Sequence, residues 1–210
     1  MRDARIRLIR ERGVTVVLDV GANTGQWATR LREDGYEGTI VSFEPLRQAY
    51  EELRAAADED AAWEARHTAV GDAPGVAAIN VSANSYSSSF LSIAAVTVGA
   101  APDASYIGHE DVAITRLDLL DLPVGRKLLK ADVQGTEPAV IRGAQGLLSE
   151  VELVELELSL VPIYEGQELA PAVCSLMRGV GFVPVALEAS WVDPRSGEIL
   201  CVDAIFASTA

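Results

Sequence analysis

Histidine, cysteine and methionine are scarce in this chain, each occurring twice in 210 residues. Cys174 and Cys201 fall in different predicted elements and form no metal-like cluster, so a reduced, cytoplasmic compartment is expected. Positive charge is in short supply: 17 Lys and Arg stand against 31 Asp and Glu, a formal net charge of −14. That balance argues against nucleic acid or an anionic membrane as a general partner. Long apolar runs are missing too. The most apolar window, Ile93 to Ala101, is too short to span a bilayer, and Arg2 to Arg12 is too charged for a secretory leader.

What is present is organised around Val16 to Trp27. Val16, Val17, Leu18 and Val20 suit a strand buried on both faces, and the apolar run stops at Gly21. Gly25 follows, then a helical pattern from Gln26 to Glu33. A strand, a glycine-bearing turn and a helix start make a cradle where a ligand approaches backbone N–H groups. A dinucleotide fingerprint would need glycines where Asn23 and Gln26 stand, and a phosphate loop would need Gly-Lys-Ser/Thr. Asp19, inside the strand, would repel an anion and attract a ligand carrying an ammonium, such as the methionine part of S-adenosylmethionine.

The rest reads as one domain over 1–210, with a short helix over 1–13 and a core over 14–207. Residues 39–44 form a second strand ended by Pro45, followed by a helix over 46–58. Glu44 lies about twenty residues past the turn, where nucleotide-binding α/β folds place an acid that accepts from ribose hydroxyls. Residues 63–70 read as a third strand closing at Gly71-Asp72, with Asp72 placed for the next part of the nucleotide. Residues 76–82 and 111–120 are further strands. Asn84 to Ser92 is a serine-rich loop that could fold over a cofactor, with Ser88 and Ser89 as contacts. Lys127 to Val133 is a core strand, Glu137 to Leu148 a helix, Val151 to Leu158 an alternating strand and Gln167 to Arg178 another helix. A final antiparallel pair is expected at 182–186 and 199–207. Alternating strands and helices with a closing hairpin give a doubly wound α/β sheet.

Four ordered motifs resemble the FkbM family of S-adenosylmethionine-dependent methyltransferases. They are Leu18 to Gly25, Phe43-Glu44-Pro45, Ala69 to Asp72, and Lys130 to Glu137. The resemblance runs from about residue 16 to 206. It implies a class I methyltransferase (Rossmann-like) sheet and methyl transfer to oxygen, commonly on a sugar or polyketide hydroxyl. It further implies that Asp19, Gly21, Asn23 and Gly25 cradle the methionine end, with Glu44, Asp72 and Ser89 along the nucleoside.

Asp132, at a strand end beside the expected methyl group, is the leading catalytic candidate: a base, an anchor for the acceptor hydroxyl, or a metal ligand. Glu157, at the end of the next strand, could join it in a hard oxygen site for magnesium. Lys130 shares a strand face with Asp132 and reads as a salt-bridge partner. Glu137 either faces the site or favours a helix N-terminus. His109 has the intrinsic pKa of a general base, while His67 reads as structural. Trp27, Trp63 and Trp191 read as packing residues. Two other functions fit less well: a nicotinamide-dependent oxidoreductase on a similar sheet, and a non-catalytic cofactor-binding protein. The acceptor and the oligomeric state stay open.

Overall fold

A computed structural model describes residues 1–84, 86–94, 97, 101 and 104–209. Its main sheet has seven strands: β1 (Val16–Val20), β2 (Thr39–Phe43), β3 (Trp63–Arg66), β7 (Lys127–Ala131), β8 (Val151–Ser159), β9 (Phe182–Val192) and β10 (Ile199–Ser208). Their order across the sheet is β3-β2-β1-β7-β8-β10-β9. β1, β2, β3, β7 and β8 run parallel, and β10 pairs antiparallel with both β8 and β9. The closing pair is therefore the expected one, although β9 continues past Ala186 to Val192.

Burial follows position in the sheet. β1 and β7 lie at its centre and are buried along their whole length. Helices α1 (Arg2–Arg12), α2 (Gln26–Glu33), α3 (Arg47–Ala57), α4 (Glu137–Arg142) and α5 (Ala170–Gly179) accompany them. Leu18, Phe43, Leu129, Val154 and Phe206 belong to one core cluster, and Val17, Ile40, Leu128, Leu153 and Ile205 to another. Adjacent residues of one strand thus feed different cores, as the period of two requires. Each fully buried Leu, Ile or Phe contributes about 1.5–3 kcal/mol.

A second, three-stranded sheet in the order β4-β6-β5 was not expected from sequence. It is built from β4 (Ala69–Val70), β5 (Gly75–Ser82) and β6 (Tyr106–Thr115). The strand expected over 63–70 divides at His67 and Thr68. Its first half pairs with β2 and its last two residues pair with β6. His67 itself stacks on Tyr50 with ring centroids 4.5 Å apart. The helix expected through Leu148 instead ends at Arg142; the Gly143 carbonyl accepts from the Asp118 N–H, and a 3₁₀ turn over Gln145–Glu150 follows.

Candidate active site

The C-terminal ends of β1, β2, β7 and β8, with α1, α2, Asn84 and residues 86–88, border a cavity of about 1060 Å³. Open α/β sheets place ligands at this end of their strands. Gly21, Asn23 and Glu44 line one side of it, and Asp132, Glu137 and Glu157 another. Gly21 has φ +72°, and a Cβ there would come within 2.0 Å of the Asp132 carbonyl oxygen, so no side chain fits. Asn23, at φ +50°, continues the turn in the left-handed region, which asparagine tolerates better than most residues. Gln134 adopts φ +54° in the facing turn. The ends of β1 and β7 are therefore tight bends meeting over the same space.

Glu44 is buried, and its two oxygens accept from the Asn23 and Leu46 backbone N–H groups, each at 2.8 Å. Burial pushes its carboxyl up to about 7, against the pull of those N–H groups and of Lys130. Each oxygen keeps a lone pair for a ligand hydroxyl.

Asp19 corrects the expectation placed on it. It is fully buried and does not line the cavity. The parallel register sets it beside Ser42 on β2 and Lys130 on β7. Ser42 Oγ donates to Asp19 Oδ2 at 3.2 Å, and Lys130 Nζ lies 3.0 Å from Oδ1. Oδ1 makes no hydrogen bond of normal geometry, so that contact is Coulombic. Lys130 faces the cavity in its place, and its Nζ also donates to the Gly21 carbonyl at 3.0 Å. Burial lowers the Lys130 pKa, but Asp19 and Asp132 outweigh that and raise it. At this strand end the cavity wall thus carries the lysine rather than Asp19. Beside it, Arg5 makes a bidentate contact with Glu155, at 2.6 and 2.5 Å. Arg5 and Lys130 both lie near the Trp27 ring, at 5.0 and 5.9 Å from its centroid. Trp27 is therefore a cavity wall as well as a packing residue.

On the other side, Asp132 Oδ1 accepts from Gln134 Nε2 at 2.6 Å. Glu137 turns back to accept from the Val133 and Gly135 N–H groups, and burial followed by Asp132 pushes it up to about 7. Glu157 accepts from Ser190 Oγ at 2.9 Å; burial, then Asp132, pushes it up to about 8. Asp203, opposite Glu157 across β8 and β10, also lines the cavity and is raised to about 6 by burial, then Glu155 and Asp132. Among the described residues no group of three or more His, Cys, Asp or Glu side chains is arranged to hold a metal ion, so the expected Asp132–Glu157 magnesium pair gains no support.

Four further candidates lie outside the cavity lining. Gly25 sits behind it at φ +87°, where a Cβ would come 3.0 Å from Leu53 and Trp63; it serves the turn and its packing. Asp72 is exposed, because the chain has left the main sheet by that point; Thr68, Ala69 and Val70 line the cavity instead. Ser89 is fully buried: its hydroxyl donates to the Gln134 carbonyl at 2.6 Å and accepts from the Leu91 N–H. Among the described serines of that loop, Ser87 and Ser88 line the cavity. His109 is exposed on β6, opposite Asn80. Sequence reasoning gave no part in the site to Gln134, Tyr164 or Asp203. Tyr164 and Asp203 come from chain distant in sequence, and only the folded register brings them in.

The family model described as the methyltransferase FkbM domain matches residues 19–184. No curated protein sequence matches the chain. Among solved structures it is similar to methyltransferase FkbM from Methylobacillus flagellatus KT, with 13% identity and a TM-score of 0.56. That match covers 91% of this chain and 43% of the other, so the chain spans less than half the length of that relative. It is also similar to magnesium protoporphyrin IX methyltransferase from Synechocystis PCC 6803, a structure with bound S-adenosylmethionine. There the identity is 11%, the TM-score 0.55, and the match covers 99% of this chain and 78% of the other. At such identities the likeness shows the fold alone, that of class I S-adenosylmethionine-dependent methyltransferases.

Proposed function

The chain belongs to the FkbM methyltransferase family, and from that premise we propose that it methylates the hydroxyl oxygen of a small molecule, a sugar or glycolipid, or a polyketide. The observation that carries this reading is that the Gly21 bend, Glu44 and Asp132 all open into one cavity. The residues fit S-adenosylmethionine: the bend where a Cβ would strike the Asp132 carbonyl admits a ligand close to backbone, and Glu44 keeps lone pairs for ribose hydroxyls. When bound, that cofactor supplies an electrophilic methyl group. Gly21 and Asn23 border the methionine end, where the bend leaves room close to the backbone, and Glu44 holds the ribose. Asp132 accepts the proton that the acceptor hydroxyl must lose, and Trp27 and Tyr164 close off water around it. Magnesium has no part in this reading.

Glu44→Ala is expected to weaken S-adenosylhomocysteine binding about tenfold or more in calorimetry, the scale of a lost charged hydrogen-bond partner. Asp132→Asn is expected to keep that affinity and lose turnover against hydroxylated glycosides. Full affinity in Glu44→Ala would remove the assigned orientation of the cofactor. A wild-type protein that binds the cofactor and methylates nothing in the panel would favour a non-catalytic binding protein.

A further inference from the structure

The Asp132 carboxylate does not stand alone at the cavity wall. Gln134, two residues on, uses both ends of its side chain: Nε2 donates to Asp132 Oδ1 at 2.6 Å, and Oε1 accepts from the Tyr164 hydroxyl at 2.7 Å. Its backbone is held as well, because Ser89 Oγ donates to the Gln134 carbonyl at 2.6 Å while the residue sits at φ +54°. A non-glycine residue in that region is retained where surrounding contacts over-determine it. Tyr164 is 2% exposed, with its ring beside Gly135 and among Ile163, Leu200 and Cys201.

We propose that Gln134 and Tyr164 are positioning residues: the Tyr164 phenol fixes the Gln134 amide, and the amide holds the Asp132 carboxylate in one orientation towards the cavity. The proposal rests on the reading of Asp132 as the group that takes the acceptor's proton. The phenol hydrogen has two acceptors within reach, Gln134 Oε1 and the Ser87 carbonyl at 3.2 Å. Given to Oε1, it turns Nε2 towards Asp132, where a donor suits a carboxylate. Given to Ser87, it would leave the phenol oxygen to accept from Nε2 and turn Oε1 against Asp132, which an ionised carboxylate repels. The observed pairing is thus the one in which Asp132 is ready to accept a proton. Burial raises the Tyr164 pKa, which keeps the phenol a donor.

The test follows the Asp132 carboxyl carbon by NMR in protein labelled at aspartate, which needs no acceptor. Lys130 on β7, Glu137 on α4, Glu157 on β8 and Asp203 on β10 also interact electrostatically with this group. The comparison is therefore each variant against wild type. Gln134→Met keeps the length and removes both amide groups; it is expected to raise the protonated fraction of Asp132 at a given pH about tenfold. Tyr164→Phe is expected to move it the same way by less. Ser89→Ala loosens the same turn without touching Asp132 and is expected to leave the signal in place. A role confined to stapling the turn would make Ser89→Ala and Gln134→Met alike. An unmoved Asp132 signal in Gln134→Met overturns the proposal, as does an equal shift in Ser89→Ala. S-adenosylhomocysteine affinity, measured alongside, is expected to stay within about twofold in Tyr164→Phe. Should wild type not bind S-adenosylhomocysteine at all, the proposed function falls while the NMR comparison still decides this point. Should Tyr164→Phe not fold, Gln134→Met decides it alone.

Discussion

The two sides of the cavity differ in how many acids they gather, although burial raises Glu44 on one side as it raises Glu137 on the other. On the β1–β2 side every carboxylate is answered: Asp19 by Lys130 and Ser42, Glu44 by two backbone N–H groups. On the side of β7, β8 and β10, Asp132, Glu157 and Asp203 line the same cavity, and burial, then neighbouring carboxylates (Asp132 for Glu157, Glu155 and Asp132 for Asp203), raise the latter two. Satisfied charges give a rigid seat whose shape precedes its ligand. Crowded carboxyl groups store a cost that a change of protonation relieves, which is where proton chemistry is expected. Under the proposed function, binding belongs to the first side of the cavity and reaction to the second.

The sharpest way to break that contrast is to unbalance the rigid side. Lys130→Met leaves Asp19 fully buried without its counter-charge. Removing one partner of a buried pair costs about 3–5 kcal/mol, and chemical denaturation is expected to show a loss of that size. Pairing Lys130→Met with Asp19→Asn is expected to restore most of it, because no buried charge then stands alone. A loss in the single variant of less than about 1 kcal/mol would mean that the β1–β7 junction is wetter than the structure has it, and the contrast would weaken.

The crowded side is tested by pH. Glu137 and Glu157 sit at about 7 and about 8 in the fold, against 4.5 in a free chain. The folded protein therefore holds protons that the unfolded chain has released. Their contribution is fully present below about 4.5 and is lost as pH rises through 7 to 8. Melting temperature is expected to fall across that window, with Glu44, at about 7, adding to the slope. One such proton changes stability by at most about 1.4 kcal/mol per pH unit. Glu157→Gln is expected to flatten the curve and to raise stability most at the alkaline end. An unchanged slope in Glu157→Gln would show that this acid is solvated rather than crowded.

Much of this contrast was legible in the sequence. The bend at Gly21, the acid at Glu44 and the strand-end Asp132 announce themselves by residue type and local spacing, and all three reach the cavity. Asp19 shows the limit. Its place in a buried strand is plain, but whether it meets ligand or lysine depends on the β1–β7 register, which pairs residues more than a hundred positions apart. Lys130 was readable as a salt-bridge partner, though not as the partner of Asp19 in particular. Tyr164 comes from the loop after β8, with no periodic pattern to mark it. Asp72 and His109 lie outside the cavity lining for one reason: two residues of β4 carry the chain into a second sheet, and a strand that short leaves no signal.

That second sheet supplies the smallest expected effect. Asp72 is exposed; its backbone carbonyl accepts from Arg116 at 3.2 Å, and its carboxylate adds a minor Coulombic pull on the same guanidinium. Removing the side chain preserves that bond. His109 projects from β6 opposite Asn80 and away from the cavity lining. Asp72→Ala and His109→Ala are each expected to change stability by no more than about 0.5 kcal/mol. Both are expected to leave S-adenosylhomocysteine affinity within about twofold. His109 is the more informative of the two, because a neutral imidazole near the acceptor would otherwise be the obvious base at pH 7. If His109→Ala abolished methyl transfer while cofactor binding held, the small sheet would have to swing its β6 edge over the cavity during turnover. Asp132 would then lose its claim to the proton. Turnover that survives in His109→Ala and vanishes in Asp132→Asn leaves the reaction on the crowded side of the cavity.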